Sequence, residues 1–176
     1  KVTRRMINKE NYGRKFFKLI NETYYKLYGF SLLSDKQIDA YTKLYLGLLD
    51  TRMVSFVENE KGELVAAGVT MPDLTAALQK CGGKLFPFGW FHLLKAIFWK
   101  PCDTLDMLLV GVREDYRCKG LNAVLVTDLY PRLKAMGFKY AETTAELETN
   151  DSIQAMWKYF EREQHKRRRV YAKKIE

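Results

Sequence analysis

Apolar residues recur along this chain with two spacings, one near 3.6 and one near 2. From 12 to 28, Phe16, Leu19, Ile20, Tyr24, Leu27 and Tyr28 fall at helical spacing, which predicts an amphipathic helix. Gly29 follows and supplies the left-handed residue that ends such a helix. The next helix starts at Ser34, with Gln37 three residues on, the pattern of a capping box. Its predicted buried stripe is Ile38, Tyr41, Tyr45, Leu48 and Leu49. Ahead of both, residues 2–7 read as a short opening strand.

Strand signals take over after residue 52. Residues 53–58 and 64–71 read as two strands, with Asn59-Glu60-Lys61-Gly62 as the hairpin turn between them. A long connection, 72–101, carries helical patterns near 73–81 and 89–98. Residues 105–112 (LDMLLVGV) are apolar on both faces after Asp106, as expected of an interior strand. A helix over 119–136 presents Leu121, Val124, Leu125, Leu129, Leu133 and Met136. Pro131 within it removes a backbone donor and predicts a kink, and Gly137 closes it. A strand over 139–147, a helix over 152–162 behind Asn150 and Asp151, and a last strand over 168–175 complete the pattern. The expected fold class is α/β: a mixed central sheet of about six to seven strands with helices on both faces. Its 105–147 unit is expected to be a parallel, right-handed crossover.

Composition narrows the function classes. The 176 residues are 47% hydrophobic and 29% charged, which suits one compact domain and argues against disorder. The net charge of +9 favours anionic partners without choosing among them. Three scattered cysteines, Cys81, Cys102 and Cys118, make no disulfide framework, so a reducing, cytoplasmic compartment is expected. His92 and His165 lie far from any cysteine pair, and no metal site is expected. The longest apolar stretch, 85–99, is shorter than the roughly 20 residues a membrane span needs. It also contains Pro87, His92 and Lys95, so no transmembrane segment is expected and an interfacial contact stays open. No signal peptide opens the chain, which starts on Lys1 rather than Met, as a piece of a longer protein would. Residues 161–176 hold seven Lys or Arg against three Glu. This run reads as a solvated edge strand, and nucleic acid is not an expected partner.

Chemistry concentrates at 108–122, LLVGVREDYRCKGLN. A buried strand runs into a turn, and the turn opens a helix. Unpaired N–H groups at a helix start carry partial positive charge. Gly120 permits close backbone approach, and Arg117 and Lys119 add cations. The result is an anion site suited to a pyrophosphate.

Here the sequence resembles the GNAT superfamily of acyl-CoA-dependent N-acyltransferases. Their signature, Q/R-x-x-G-x-G/A between a strand and a helix, reads Arg117-Cys118-Lys119-Gly120-Leu121-Asn122. Glu148-Thr149-Asn150 before a helix containing Trp157 and Phe160 is the second point of likeness, and the element order fits across the chain. The overall look, including FPFGW before the interior strand, is similar to an uncharacterised bacterial GNAT-like subfamily. The resemblance implies a single GNAT-like domain over 1–176 with a helical, aromatic-rich insertion at about 73–100. It implies transfer of an acetyl group from acetyl-CoA, as co-substrate, to an unidentified amine. It places Val110, Gly111 and Val112 along the pantetheine arm and thioester carbonyl, Arg117, Cys118, Lys119, Gly120, Leu121 and Asn122 around the pyrophosphate, and Asn150 beside the pantetheine arm. Asp106, six residues before Val112, is the candidate general base, with Glu146 and Glu148 as alternatives.

Two positions depart from the pattern. Asn122 replaces the usual small residue, and Trp157 stands where many such enzymes carry a tyrosine acid. These departures support the alternative of a catalytically inactive GNAT-fold module that binds CoA, a peptide, or an apolar or membrane surface. The aromatics Phe86, Phe88, Trp90, Phe91, Phe98 and Trp99 carry two readings: they anchor the insertion to the sheet, or they line the approach of an apolar acceptor or a membrane.

Overall fold

The computed structural model describes residues 2–46, 49–99 and 102–174. Thr3 accepts a hydrogen bond from the Met6 N–H and caps a helix, α1 (Arg4–Lys9), where a strand was expected. The helix turns Ile7, 3% exposed, into the core beside Phe16 and Ile20. Val2, Met6 and Ile7 do not alternate, so a strand would have split them between two faces.

Helix α2 (Tyr12–Tyr24) buries Phe16, Phe17, Leu19 and Ile20. It stops four residues short of the expected end: turns at 24–30 follow, Gly29 adopts φ +78°, and Tyr28 is exposed. The Ser34 capping box is present and opens α3 (Asp35–Tyr41), which buries Ile38 and continues as a π-helical turn over Thr42–Leu46. Leu49 is buried and Tyr41 half-buried, whereas Tyr45 is exposed. Leu48 lies outside the described residues.

β1 (Val54–Glu58) and β2 (Leu64–Pro72) pair antiparallel. Their turn is tied by the Asn59 side chain, which accepts from the Lys61 and Glu63 N–H groups, and by Gly62 at φ +75°. Two helices follow, α4 (Thr75–Lys80) and α5 (Gly89–Phe98). β3 (Thr104–Val112) then pairs antiparallel with β2. Helix α6 (Leu121–Ala135) runs through Pro131 to its end. It buries Leu125, Leu129 and Leu133, leaves Leu121 and Met136 half-buried, and exposes Val124. β4 (Tyr140–Thr143) completes a mixed sheet of order β1-β2-β3-β4.

The sheet therefore has four strands, not six to seven. The opening strand is a helix, and β4 has four residues, not the nine expected over 139–147. No strand occurs among the described residues of 160–174. That segment is exposed throughout; Val170 and Tyr171 are adjacent rather than alternating, and the clustered cations repel.

Helices cover both faces of the sheet, and the register shows how. Ala67 and Gly111 are cross-strand partners, as are Gly68 and Val110, so the two glycines face opposite sides. A Cβ on Gly111 would meet Thr23 Oγ1 of α2 at 3.1 Å, and one on Gly68 would meet Leu129 of α6 at 3.4 Å. Each glycine thus lets one helix close onto the sheet. The α2 face holds the larger core cluster, with Phe16, Leu19, Ile20, Ile38, Ala67 and Val69. A second cluster holds Met53, Leu105, Leu129, Leu133 and Phe138. Full burial of one such side chain contributes about 1.5–3 kcal/mol.

Contacts divide the chain into two compact units, Lys1–Glu142 and Thr143–Glu176. The second contains a loop, α7 (Asp151–Met156) and a single turn over Trp157–Tyr159, shorter together than the helix expected to reach 162. No helix among the described residues is long and apolar enough to cross a membrane.

Candidate functional site

The run from β3 into α6 carries most of the expected site. After β3, a short 3-10 turn over Glu114–Tyr116 leads to Arg117 in extended conformation. Cys118 then adopts φ +62° and Gly120 φ +76°. Left-handed backbone costs a cysteine energy that glycine avoids, and nothing in the sequence around Cys118 signals that conformation. A Cβ on Gly120 would meet nothing within 4 Å. The space beside Gly120 is therefore open, and the glycine serves the backbone rather than a packing contact.

Gly120 is the N-cap of α6, and no side chain caps the helix. The N–H groups of the first turn accordingly lack the usual capping acceptor. Around them the cations are arranged unequally. Arg113 is tied to Asp115 at 2.8 Å and to Glu63 at 3.1 Å, which raises its already high pKa. Lys119 Nζ rests 4.7 Å from the Tyr116 ring centroid. The Arg117 guanidinium pairs with no carboxylate among the described residues. Asn122 is exposed on the first turn.

The edge of β3 is the second component. The Arg113 N–H donates to Val65 O, so Arg113, Gly111 and Leu109 point their main-chain groups at β2 up to the bulge. Val110 and Val112 point theirs the other way. On that side β4 begins where Lys139 and Tyr140 donate to Asp103 O, at 2.7 and 3.0 Å. With four residues it ends short of Val110. The ladder also slips: Val69 faces Leu109 while Thr70 faces Met107, which makes Leu108 an additional residue on β3. Such a bulge takes one residue's main-chain groups out of the ladder.

Tyr24, read from sequence only as part of the α2 stripe, meets this edge. Its hydroxyl donates to Val110 O at 2.9 Å and accepts from Val110 N at 3.4 Å. Both main-chain groups expected to meet a pantetheine arm are thus engaged by a phenol. Asp106 lies toward the other end of β3, half-buried, opposite Met71. Six residues separate it from Val112, about 20 Å along a strand.

The remaining candidates lie in the second unit. Glu146 and Glu148 were expected on one face of a strand; both sit in the loop beyond β4. Glu146 accepts from the Trp157 indole at 2.9 Å and from Gln154 at 3.2 Å, and Glu148 pairs with Arg167 at 3.0 Å. Trp157 thus orients a carboxylate. Asn150 is the N-cap of α7 without a side-chain capping bond. A depression of about 330 Å³ lies elsewhere, at the β1 edge, lined in part by Tyr12, Ser55, Glu58 and Asp128.

Solved structures share this architecture. Aminoglycoside 6'-N-acetyltransferase AAC(6')-IG from Acinetobacter haemolyticus superposes with a TM-score of 0.56 over 96% of both chains, at 12% identity. Diaminobutyrate acetyltransferase EctA from Paenibacillus lautus, solved with its substrate and coenzyme A, superposes with a TM-score of 0.53 at 18% identity, covering 85% of this chain and 69% of that one. The chain has the GNAT fold.

β3 and α6 lie on either side of the Arg117–Asn122 turn. No family model matches the chain. By sequence it is similar to protein YghO of Escherichia coli, 26% identical across 99% of this chain and 46% of that protein. It is also similar to the bacterial ceramide synthase of Caulobacter vibrioides, 24% identical across 89% of this chain and 42% of that protein. The chain spans less than half the length of either relative.

Proposed function

We propose that the chain is an acyl-CoA-dependent N-acyltransferase that uses acetyl-CoA and an amine. The observation that carries this reading is the uncapped start of α6, where Cys118 and Gly120 are both left-handed and the space at Gly120 is open. Those features fit a pyrophosphate: free N–H groups, local positive charge from Arg117 and Lys119, and no side chain in the way. The reading rests on the first unit alone.

Bound acetyl-CoA supplies a thioester carbonyl and a thiolate leaving group. The residues of this chain divide the remaining work. The Val112 N–H, which points away from β2, stabilises the oxyanion as the amine adds. Asp106, about 20 Å from Val112 along β3, receives the proton that the amine gives up through a chain of waters rather than directly. Tyr24, whose hydroxyl already sits on the β3 edge, gives its proton to the departing thiolate, the role that Trp157 leaves unfilled. No covalent enzyme intermediate is needed. The ceramide synthase relative acts, by its name, in forming an N-acylated long-chain amine. An apolar amine is accordingly the acceptor class for this chain. Its three unpaired cysteines accord with a reducing compartment. The indole at Trp157, tied to Glu146, favours a second reading, a CoA-binding module without turnover.

Thermal unfolding with millimolar acetyl-CoA tests binding. A ligand at 100 times its Kd stabilises by about 2.7 kcal/mol, or roughly 5–10 °C for a domain of this size. Gly120→Val removes the shift. Asp106→Asn keeps the shift and lowers acyl transfer to a long-chain amine by about 10²-fold. Absence of any shift ends the CoA reading; a shift without transfer to any amine leaves the binding module.

A further inference from the structure

The loop before α5 and one side of the helix form an aromatic surface that the sheet does not cover. Phe86 is 81% exposed, Phe88 73% and Trp99 70%. Phe91 and Phe98, seven residues apart on α5, are each about half exposed. The surface is continuous. Phe86, Phe88 and His92 line one shallow depression, and His92 stacks edge-on against Phe91. The opposite side of α5 is the anchored one: Leu93, Ala96 and Ile97 are half-buried.

Charge identifies what meets it. From 74 to 102 the sequence holds Lys80, Lys84, Lys95 and Lys100 and no Asp or Glu. Lys80, Lys84 and Lys95 are exposed. Lys95 lies four residues after Phe91 and three before Phe98, inside the aromatic stripe rather than at its border. We propose that this surface docks the protein on an anionic lipid bilayer, with the aromatic rings at headgroup depth and the lysines against phosphate.

The alternatives fit less well. A dry protein partner would bury the Lys95 ammonium among rings, where it loses its water, and lysine is depleted from the cores of protein interfaces. A second copy would bring the same cations face to face. At a bilayer, a lysine extends its methylenes along apolar neighbours and keeps its charge at the phosphates. Trp and Phe favour the same interfacial depth. α5 has ten residues, about 15 Å of helix, which suits lying in an interface and not spanning one. The inference does not depend on acyl transfer.

Sedimentation with vesicles tests it. One set is phosphatidylcholine alone; the other has a quarter of the lipid replaced by phosphatidylglycerol. The protein is expected to bind the anionic set about tenfold more tightly, with loss of binding at high salt. Phe88→Ser with Phe91→Ser, and separately Lys84→Glu with Lys95→Glu, each weaken binding by about tenfold while the circular dichroism spectrum stays unchanged. Arg168→Glu with Arg169→Glu, in the exposed basic tail, leaves the phenylalanine-dependent binding in place. Failure of the unaltered protein to bind overturns the proposal. So does binding that the tail variant abolishes and the insertion variants do not, or a dimer that the Phe88 and Phe91 changes dissociate.

Discussion

The first unit contains two aromatic-rich regions with opposite fates. In α2 and β1, Tyr12, Phe16, Phe17 and Phe56 form a stacked and edge-on cluster with centroids 5.1–6.1 Å apart, and Phe16 is 1% exposed. In the α4–α5 insertion, rings of the same kinds stand 45–81% exposed. Composition does not separate the two regions, but the partner surface does. α2 lies against β2 and β3, where Gly111 lets it close onto the sheet. The insertion has more rings than half-buried positions to hold them. Aromatic content is therefore a statement about stability in one region and about uncovered surface in the other.

The largest expected effect sets the first region apart. Phe16→Ala should cost about 3–5 kcal/mol in urea unfolding, through lost transfer energy and the cavity left behind. A loss below 1 kcal/mol would mean that the α2 face is not the tightly packed core it appears from its burial. Next, Tyr12 donates to Glu58 Oε1 at 2.5 Å, and this bond, with burial and the Glu58 and Glu10 charges, pushes its phenol up to about 12 from 10.0. The folded state thus holds its proton more tightly than the unfolded state does. The stabilisation is complete below pH 10 and is lost as pH rises from 10 to 12. Unfolding midpoints across that window should fall more steeply for the natural protein than for Tyr12→Phe, which should itself lose about 1 kcal/mol at neutral pH. Equal slopes would remove Tyr12 from the titration. The smallest effect belongs to the insertion: Trp99→Ala should change stability by no more than about 0.5 kcal/mol. A larger loss would show that the exposed rings hold the fold as the buried ones do.

Much of the framework was legible because its signals are local. The Ser34–Gln37 box, the Asn59–Gly62 turn and the Arg117–Asn122 turn each rely on side chains or glycines within a few residues of the backbone they shape. The interior position of β3 followed from LDMLLVGV, apolar on both faces. The opening helix was missed because a strand and a single helical turn look alike over six residues, and Ile7 chose the helix only by packing into the α2 cluster. The last strand was expected over 168–175 because Val170 and Tyr171 have strand propensity, but no described strand pairs with them and the described residues there form none.

The sequence by itself determined the turn on which the proposed anion site rests. A glycine at the start of α6, flanked by cations, is a covalent fact read without any partner. Tertiary structure alone decided the rest of the site: the Leu108 bulge, the direction of the Val110 and Val112 main chain, and the Tyr24 hydroxyl on that edge. Tyr24 and Val110 are 86 residues apart. Their meeting depends on how α2 packs over the sheet, and spacing along a chain does not encode a contact that only packing creates.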